Sequence, residues 1–214
     1  MIKVENIDVY GFQHAIRGMR NPMNSWDKSD SEWGAENWCT ARFDIGEKDL
    51  GLMNRLFKAG VEHRTYARMI YVWMDIEAPL YWWKEMDRYT VGKAQVSTST
   101  MHKIADKEFT LDDFSHEHLS SDARATLMQV IERLNITRKF FMALDGEEAK
   151  QYWWDMIQLL PSSYNQKRTI CMSYEVVFKI IKERTGHKLD EWNDFVSILK
   201  ELPYVKEIME GMPS

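Results

Sequence analysis

A chain of 214 residues is long enough to bury a substantial core, and a single domain over 1–214 is the expectation. The formal charge of −5 and sequence pI near 5.7 argue against a duplex-nucleic-acid binder, which needs a basic excess to neutralise phosphates, but leave room for a pocket that takes one nucleotide. No window approaches the roughly 18 uncharged apolar residues of a membrane helix, so a soluble cytoplasmic protein without a membrane partner is expected, and Cys39 and Cys171, far apart and in no Cys-x-x-Cys pair, read as reduced thiols.

Ile2 to Gly11 alternates loosely and reads as an edge or partly exposed strand. Phe12 to Arg20 reads as a short helix stopped by Asn21-Pro22, and the polar stretch Met23 to Asn37 as a loop long enough to be a candidate lid. Asp49 to Lys58 carries Leu52, Met53, Leu56 and Phe57 at helical spacing, with Ala59-Gly60 as its stop. Tyr66 to Ile76 is a strand apolar on both faces, Ile70, Val72, Met74 and Ile76 on one and Met69, Tyr71 and Trp73 on the other, which belongs inside a fold. Pro79 opens a helix through about Tyr89. Thr90 to His102, small and rich in hydroxyls, reads as a loop.

The second half is mostly helical. Leu127, Val130, Ile131 and Leu134 follow the i, i+3, i+4, i+7 rule, and Glu147 to Leu160 forms a further helix ending at Pro161. A third runs from about Arg168 to Arg184, with Ile170, Tyr174, Val177 and Ile181 on one face and Gly186 as its stop. The fold class is therefore α+β: a central antiparallel sheet built around Tyr66 to Ile76, with a helical lobe from about Leu119.

Arg88, Lys93 and Arg184 are the cations available to answer a nucleotide phosphate, and Ser97, Thr98, Ser99 and Thr100 add hydroxyls. The same residues also fit a plainer reading, with Asp87 and Arg88 as an ion pair and the Ser-Thr run as ordinary turns. Trp82 and Trp83 read as core or subunit-seam rings, while Tyr89 stands between packing and stacking on a ligand. His102 closes the hydroxyl-rich segment, where it either donates to a phosphate, shuttles a proton or fills a structural role. His116-Glu117-His118 splays apart on a helix, so no metal site is expected. Nor is there a Gly-rich phosphate loop or a nucleophile elbow.

The order of a helix ending in Lys58-Ala59-Gly60, a two-faced strand, Pro79, an aromatic helix and a hydroxyl-rich segment resembles the flavin-dependent thymidylate synthases. So does Leu160-Pro161 ahead of a helix ending in Arg184, with His187 soon after. In that family the aromatic helix runs into Arg-His-Arg-x-x-Ser-x-Asn-Glu-x-Ser-x-Arg. Laid on it, Asp87, Arg88 and Tyr89 stand for the opening Arg-His-Arg, Gly92 and Ala94 replace the serine and asparagine, Gln95 the glutamate and Ser99 the last arginine, and Ser97 keeps its serine. Val61 replaces the histidine that follows Ala-Gly.

The resemblance implies reductive methylation of deoxyuridylate with reduced FAD and methylene-tetrahydrofolate in a homotetramer. With the charge argument it assigns Arg88, Lys93, Gln95, Ser97, Ser99 and Arg184 to a pyrimidine nucleotide, and Tyr89 and His102 to the cofactor. The missing arginines keep a second reading open, a nucleotide-binding homologue that has lost flavin. Nine Trp in a 25.4 kDa chain are more than one small core hides, which also points to an oligomer.

Overall fold

The computed structural model describes residues 2–34 and 43–211; Cys39 and residues 35–37 of the candidate lid lie outside them. In chain order the elements are β1 (Lys3–Tyr10), α1 (Phe12–Arg20), β2 (Glu32–Trp33), β3 (Phe43–Asp44), α2 (Glu47–Ala59), β4 (Tyr71–Pro79), α3 (Leu80–Met86), β5 (Lys93–Ser97), α4 (Thr100–Lys103), α5 (Ser121–Ala143), α6 (Gly146–Leu159), β6 (Asn165–Ser173), α7 (Tyr174–Arg184), α8 (Asp190–Lys200) and α9 (Val205–Glu210). Strands β1, β4, β6 and β5 form one antiparallel sheet in that spatial order, and β2 pairs with β3 alone. The α+β class with a central antiparallel sheet holds, and Ile70 and Val72 are fully buried. As expected, β1 is an edge strand, exposed along most of its length.

Several expectations are corrected. The strand begins at Tyr71 rather than Tyr66, because Thr65–Met69 coils into a 3₁₀ turn that buries Tyr66 and Ala67. Only one face of β4 is sealed: Val72, Met74 and Ile76 are buried, whereas Trp73 on the other face is 38% exposed. The helix after Pro79 ends at Met86, short of Tyr89. Thr90 to His102 is no loop, since it holds β5 and the short α4. The third late helix starts at Tyr174, and the residues before it are strand β6. The described part of the candidate lid is tied down: Ser29 and Ser31 donate hydroxyls to Asp49 at 2.6 and 2.7 Å, and β2 follows.

The described chain groups into two compact units, and all four strands of the larger sheet contribute residues to each. The first unit comprises Met1–Glu5, Asp75–Arg88 and Gln95–Thr169. Its α5 is capped by Ser120, whose hydroxyl accepts the Ala123 N–H, and buries Leu127, Ile131 and Leu134 one or two turns apart. These pack with Met156 of α6 and with Phe109 and Phe114. Asn135 locks the incoming chain to α5, because its side-chain amide both accepts the N–H and donates to the carbonyl of Phe109, each at 2.8 Å.

The second unit comprises Asn6–Met74, Tyr89–Ala94 and Ile170–Ser214. Here α1 buries Phe12, Ala15, Ile16 and Arg20, and the Phe12 ring meets those of Phe43, Tyr174 and Tyr204. Tyr174, Val177, Phe178 and Ile181 form the buried stripe of α7, and the Tyr174 hydroxyl donates to the Pro203 carbonyl at 2.9 Å. Asn54 of α2 donates to the Ile208 carbonyl of α9 at 2.9 Å.

Candidate functional site

Arg184 comes one turn after Ile181 and two after Val177, so the stripe that buries α7 carries the guanidinium inward as well. It is 9% exposed. Its Nε donates to the Tyr89 hydroxyl at 3.0 Å, Nη1 lies 3.2 Å from Nε2 of His187, and the guanidinium sits 4.5 Å over the Trp192 ring. The Tyr89 hydroxyl in turn donates to Glu183 Oε2 at 2.9 Å. Burial pushes the Tyr89 phenol up; Arg184 opposes this and Glu183 adds to it, with a net rise. Because the Leu189 N–H also points at Nδ1 of His187 at 3.2 Å, a neutral imidazole with one lone pair accepts from only one of its two neighbours. The outcome is a cation held by a phenol and stacked on an indole, with the His187 imidazole beside it, all within the second unit. Lys93, half-buried on β5, belongs to the same unit.

In the first unit, Asp87 caps the end of α3. Its Oδ1 accepts from Gln95 Nε2 at 2.7 Å and from Arg168 Nη1 at 2.9 Å. Arg168 also lies 4.2 Å over the Trp83 ring and donates from Nε to Gln166 Oε1 at 3.0 Å, while the Trp83 indole donates to the Gln166 carbonyl at 2.9 Å. A carboxylate that replaces the family's first signature arginine has thus taken a partner from β6. Gln95 is engaged in holding that carboxylate. Ser99 and His102 are engaged with each other: the Ser99 hydroxyl caps α4 by accepting the His102 N–H at 3.2 Å, and it lies 2.8 Å from His102 Nδ1. Arg88 and Ser97 are exposed. Trp82 and Trp83 are core rings, buried to 1% or less.

The sequence reading missed Arg168, Gln166, Glu183 and Trp192. One signal for Arg168 was present, since Gln166, Arg168, Ile170 and Met172 alternate as one face of a strand, a pattern obscured by reading 168–184 as helix. Among the described residues, no group of three His, Cys, Asp or Glu side chains could hold a metal ion, and no helix is long and apolar enough to cross a membrane.

A cavity of 490 Å³ opens beside the Gly60 turn, lined in part by Leu56, Glu62, His63, Tyr66 and Met69. FAD carries a pyrophosphate that calls for guanidinium, ammonium or clustered N–H donors. Among the described residues, the cavity lining holds Glu62 and neither Lys nor Arg. At the signature positions Asp87 is an anion bound to Arg168, and Tyr89 is occupied by Arg184 and Glu183. Neither this cavity nor these two signature positions offer the cations that the pyrophosphate of FAD calls for.

The sequence matches no family profile and no curated protein. Solved structures do match. Thymidylate synthase X (ThyX) from Helicobacter pylori, crystallised with FAD and dUMP, superposes over 98% of both chains with 15% identity and a TM-score of 0.66. A second structure of that flavin-dependent enzyme with the same ligands covers 96% of this chain and 98% of its own, at 15% identity and 0.64. The UMP/dUMP methylase PolB from Streptomyces cacaoi, bound with 5-Br dUMP, covers 97% and 94%, at 13% identity and 0.63. From end to end, this chain has the fold of the flavin-dependent thymidylate synthases.

Proposed function

We propose that this protein binds a pyrimidine nucleoside monophosphate and does so without FAD. The observation that carries the reading is Arg184, a buried guanidinium oriented by Tyr89 and Trp192 at the end of α7, with His187 beside it, in a fold whose solved examples hold dUMP or 5-Br dUMP. A preoriented arginine loses little side-chain freedom on meeting a phosphate. Lys93, of the same unit, is assigned to the same nucleotide. Loss of flavin is supported by Asp87 and Tyr89, whose partners lie within the protein. The assembly we propose is a homotetramer, which light scattering would register at four times 25.4 kDa.

Calorimetric titration with dUMP, with UMP and CMP as controls, tests the reading. The unmutated protein should bind, and Arg184→Ala should weaken binding by about 1.5–3 kcal/mol, the scale of a hydrogen bond to a charged group. Absence of binding, or equal binding by the variant, would refute a nucleotide site at Arg184. Uptake of FAD with oxidised-flavin absorbance bands would replace this reading with flavin-dependent methylation of dUMP.

A further inference from the structure

Two cavities open side by side along α1, and Gln13, His14 and Trp33 line both. The larger, 520 Å³, lies at the start of the helix and is walled by Tyr10, Phe43, Tyr71 and Trp73; among the described residues His14 is its one basic side chain and no carboxylate lines it. The smaller, 240 Å³, is basic: His14, Arg17 and Arg20 line it together with Trp26 and Trp33, again without a carboxylate among the described residues. All of these residues belong to the second unit.

The two ends differ in chemistry for reasons written in α1. Residues 14, 17 and 20 follow one another at roughly one turn, so the three basic groups line one flank of the helix. Arg20 is buried, and its charge is answered by Asp49, while Nη1 donates to the Ser25 carbonyl at 3.1 Å. Arg17 is exposed and forms no ion pair among the described residues. The indole of Trp26 is held by a bond from Nε1 to Asn21 Oδ1 at 2.8 Å. At the other end the Tyr10 and Trp73 rings meet edge to face at 5.7 Å, and each is more than a third exposed.

A cleft of this size, mostly aromatic with a few polar groups at one end, has the anatomy of a small-molecule site. The geometry points to a binding site for a flat aromatic ring that carries an anionic arm. The ring stacks in the Tyr10 and Trp73 end, and the arm, a carboxylate or a phosphate, meets Arg17 and His14. This inference is independent of the nucleotide reading at Arg184.

Calorimetry on the full chain tests it with indole-3-acetate against uncharged tryptophol, and with adenosine 5′-monophosphate against adenosine. The first pair probes a carboxylate arm and the second a phosphate. At least one charged probe should bind about tenfold tighter than its neutral counterpart, the effect of one charge-assisted hydrogen bond. Arg17→Glu should abolish that advantage without changing the circular dichroism or the melting temperature, Arg17 being exposed. Trp73→Ala should weaken the charged and neutral probes alike, and Arg184→Ala should change neither. Equal binding of charged and neutral probes, no heat from any of them, an advantage that survives Arg17→Glu, or its loss in Arg184→Ala would each overturn the inference.

Discussion

Arg20 donates from Nε to Oδ1 of Asp49 at 2.6 Å, and the two side chains are only 5% and 0% exposed. The other oxygen, Oδ2, accepts the hydroxyls of Ser29 and Ser31 and the backbone N–H groups of Asp30 and Ser31. One carboxylate therefore ties the last turn of α1, the segment before β2 and the first turn of α2 together. Breaking a buried pair is costly because it strands the remaining charge, whereas replacing both partners with apolar groups is not.

Asp49→Asn should accordingly destabilise the protein by roughly 3–5 kcal/mol in urea unfolding, and even Arg20→Met/Asp49→Leu should recover little of that loss, because Leu leaves the Ser29 and Ser31 hydroxyls and the Asp30 and Ser31 N–H groups without their acceptor. Burial raises the Asp49 pKa, but the bonds from Ser29, Ser31 and Arg20 outweigh it and hold the carboxyl below its ordinary value. A depressed folded-state pKa contributes stability that is fully present above the unfolded value of about 3.9 and is lost as pH falls through the folded one. Melting of the unmutated protein should therefore fall below about pH 4, and Asp49→Asn should lack this part of the fall. A variant with the same acid profile would show that the carboxylate is not linked to folding.

Gly11 opens α1 with φ at 105°, and a Cβ there would stand 2.1 Å from the Met69 carbonyl oxygen. Left-handed backbone costs an L-residue about 1–2 kcal/mol before any overlap is counted. Gly11→Ala should therefore lose at least about 2 kcal/mol of unfolding free energy, since the obstacle is backbone and cannot swing away. A melting temperature within a degree of the unmutated protein would contradict this.

Asp87 and Arg168 should respond unequally to truncation. The Asp87 side chain is 43% exposed, so Asp87→Ala should cost under about 1 kcal/mol. Arg168→Ala removes a guanidinium that is 12% exposed and covers the Trp83 ring, and should cost about 2 kcal/mol. Unfolding curves that reverse this order would mean that the ion pair, rather than the stack, holds Arg168.

Elements whose cause is local were legible in the sequence. Phe12 to Arg20 forms the helix expected, because its apolar spacing and the Asn21-Pro22 stop lie within one short window. Strand β6 was read as helix because Ile170, Tyr174, Val177 and Ile181 keep helical spacing across a boundary that strand pairing sets from elsewhere in the chain. Strand β5, Lys-Ala-Gln-Val-Ser, alternates over only five residues with a small Ala94 and an exposed Val96, too weak a pattern to stand out from the hydroxyl-rich run around it; next to it, the Thr98 N–H bonds to the Lys167 carbonyl at 2.9 Å. At the candidate site, Arg184 was legible from its place at a helix end. Arg168 was not, since it meets Asp87 across 81 residues and neither local pattern announces the other.

The interleaved make-up of the two units bears on how the chain is synthesised. The first unit draws on residues as far apart as Glu5 and Thr169, and the second needs α7, α8 and α9 beside a strand finished long before. A ribosome therefore releases no stretch that can complete either unit until most of the chain has emerged. The early apolar segments, Phe12 to Ile16 and Ile70 to Ile76, wait without their late partners such as Tyr174. Growth at lower temperature or with more chaperone should raise the soluble yield more than for a protein whose units are contiguous, because the delay is built into the order of the chain.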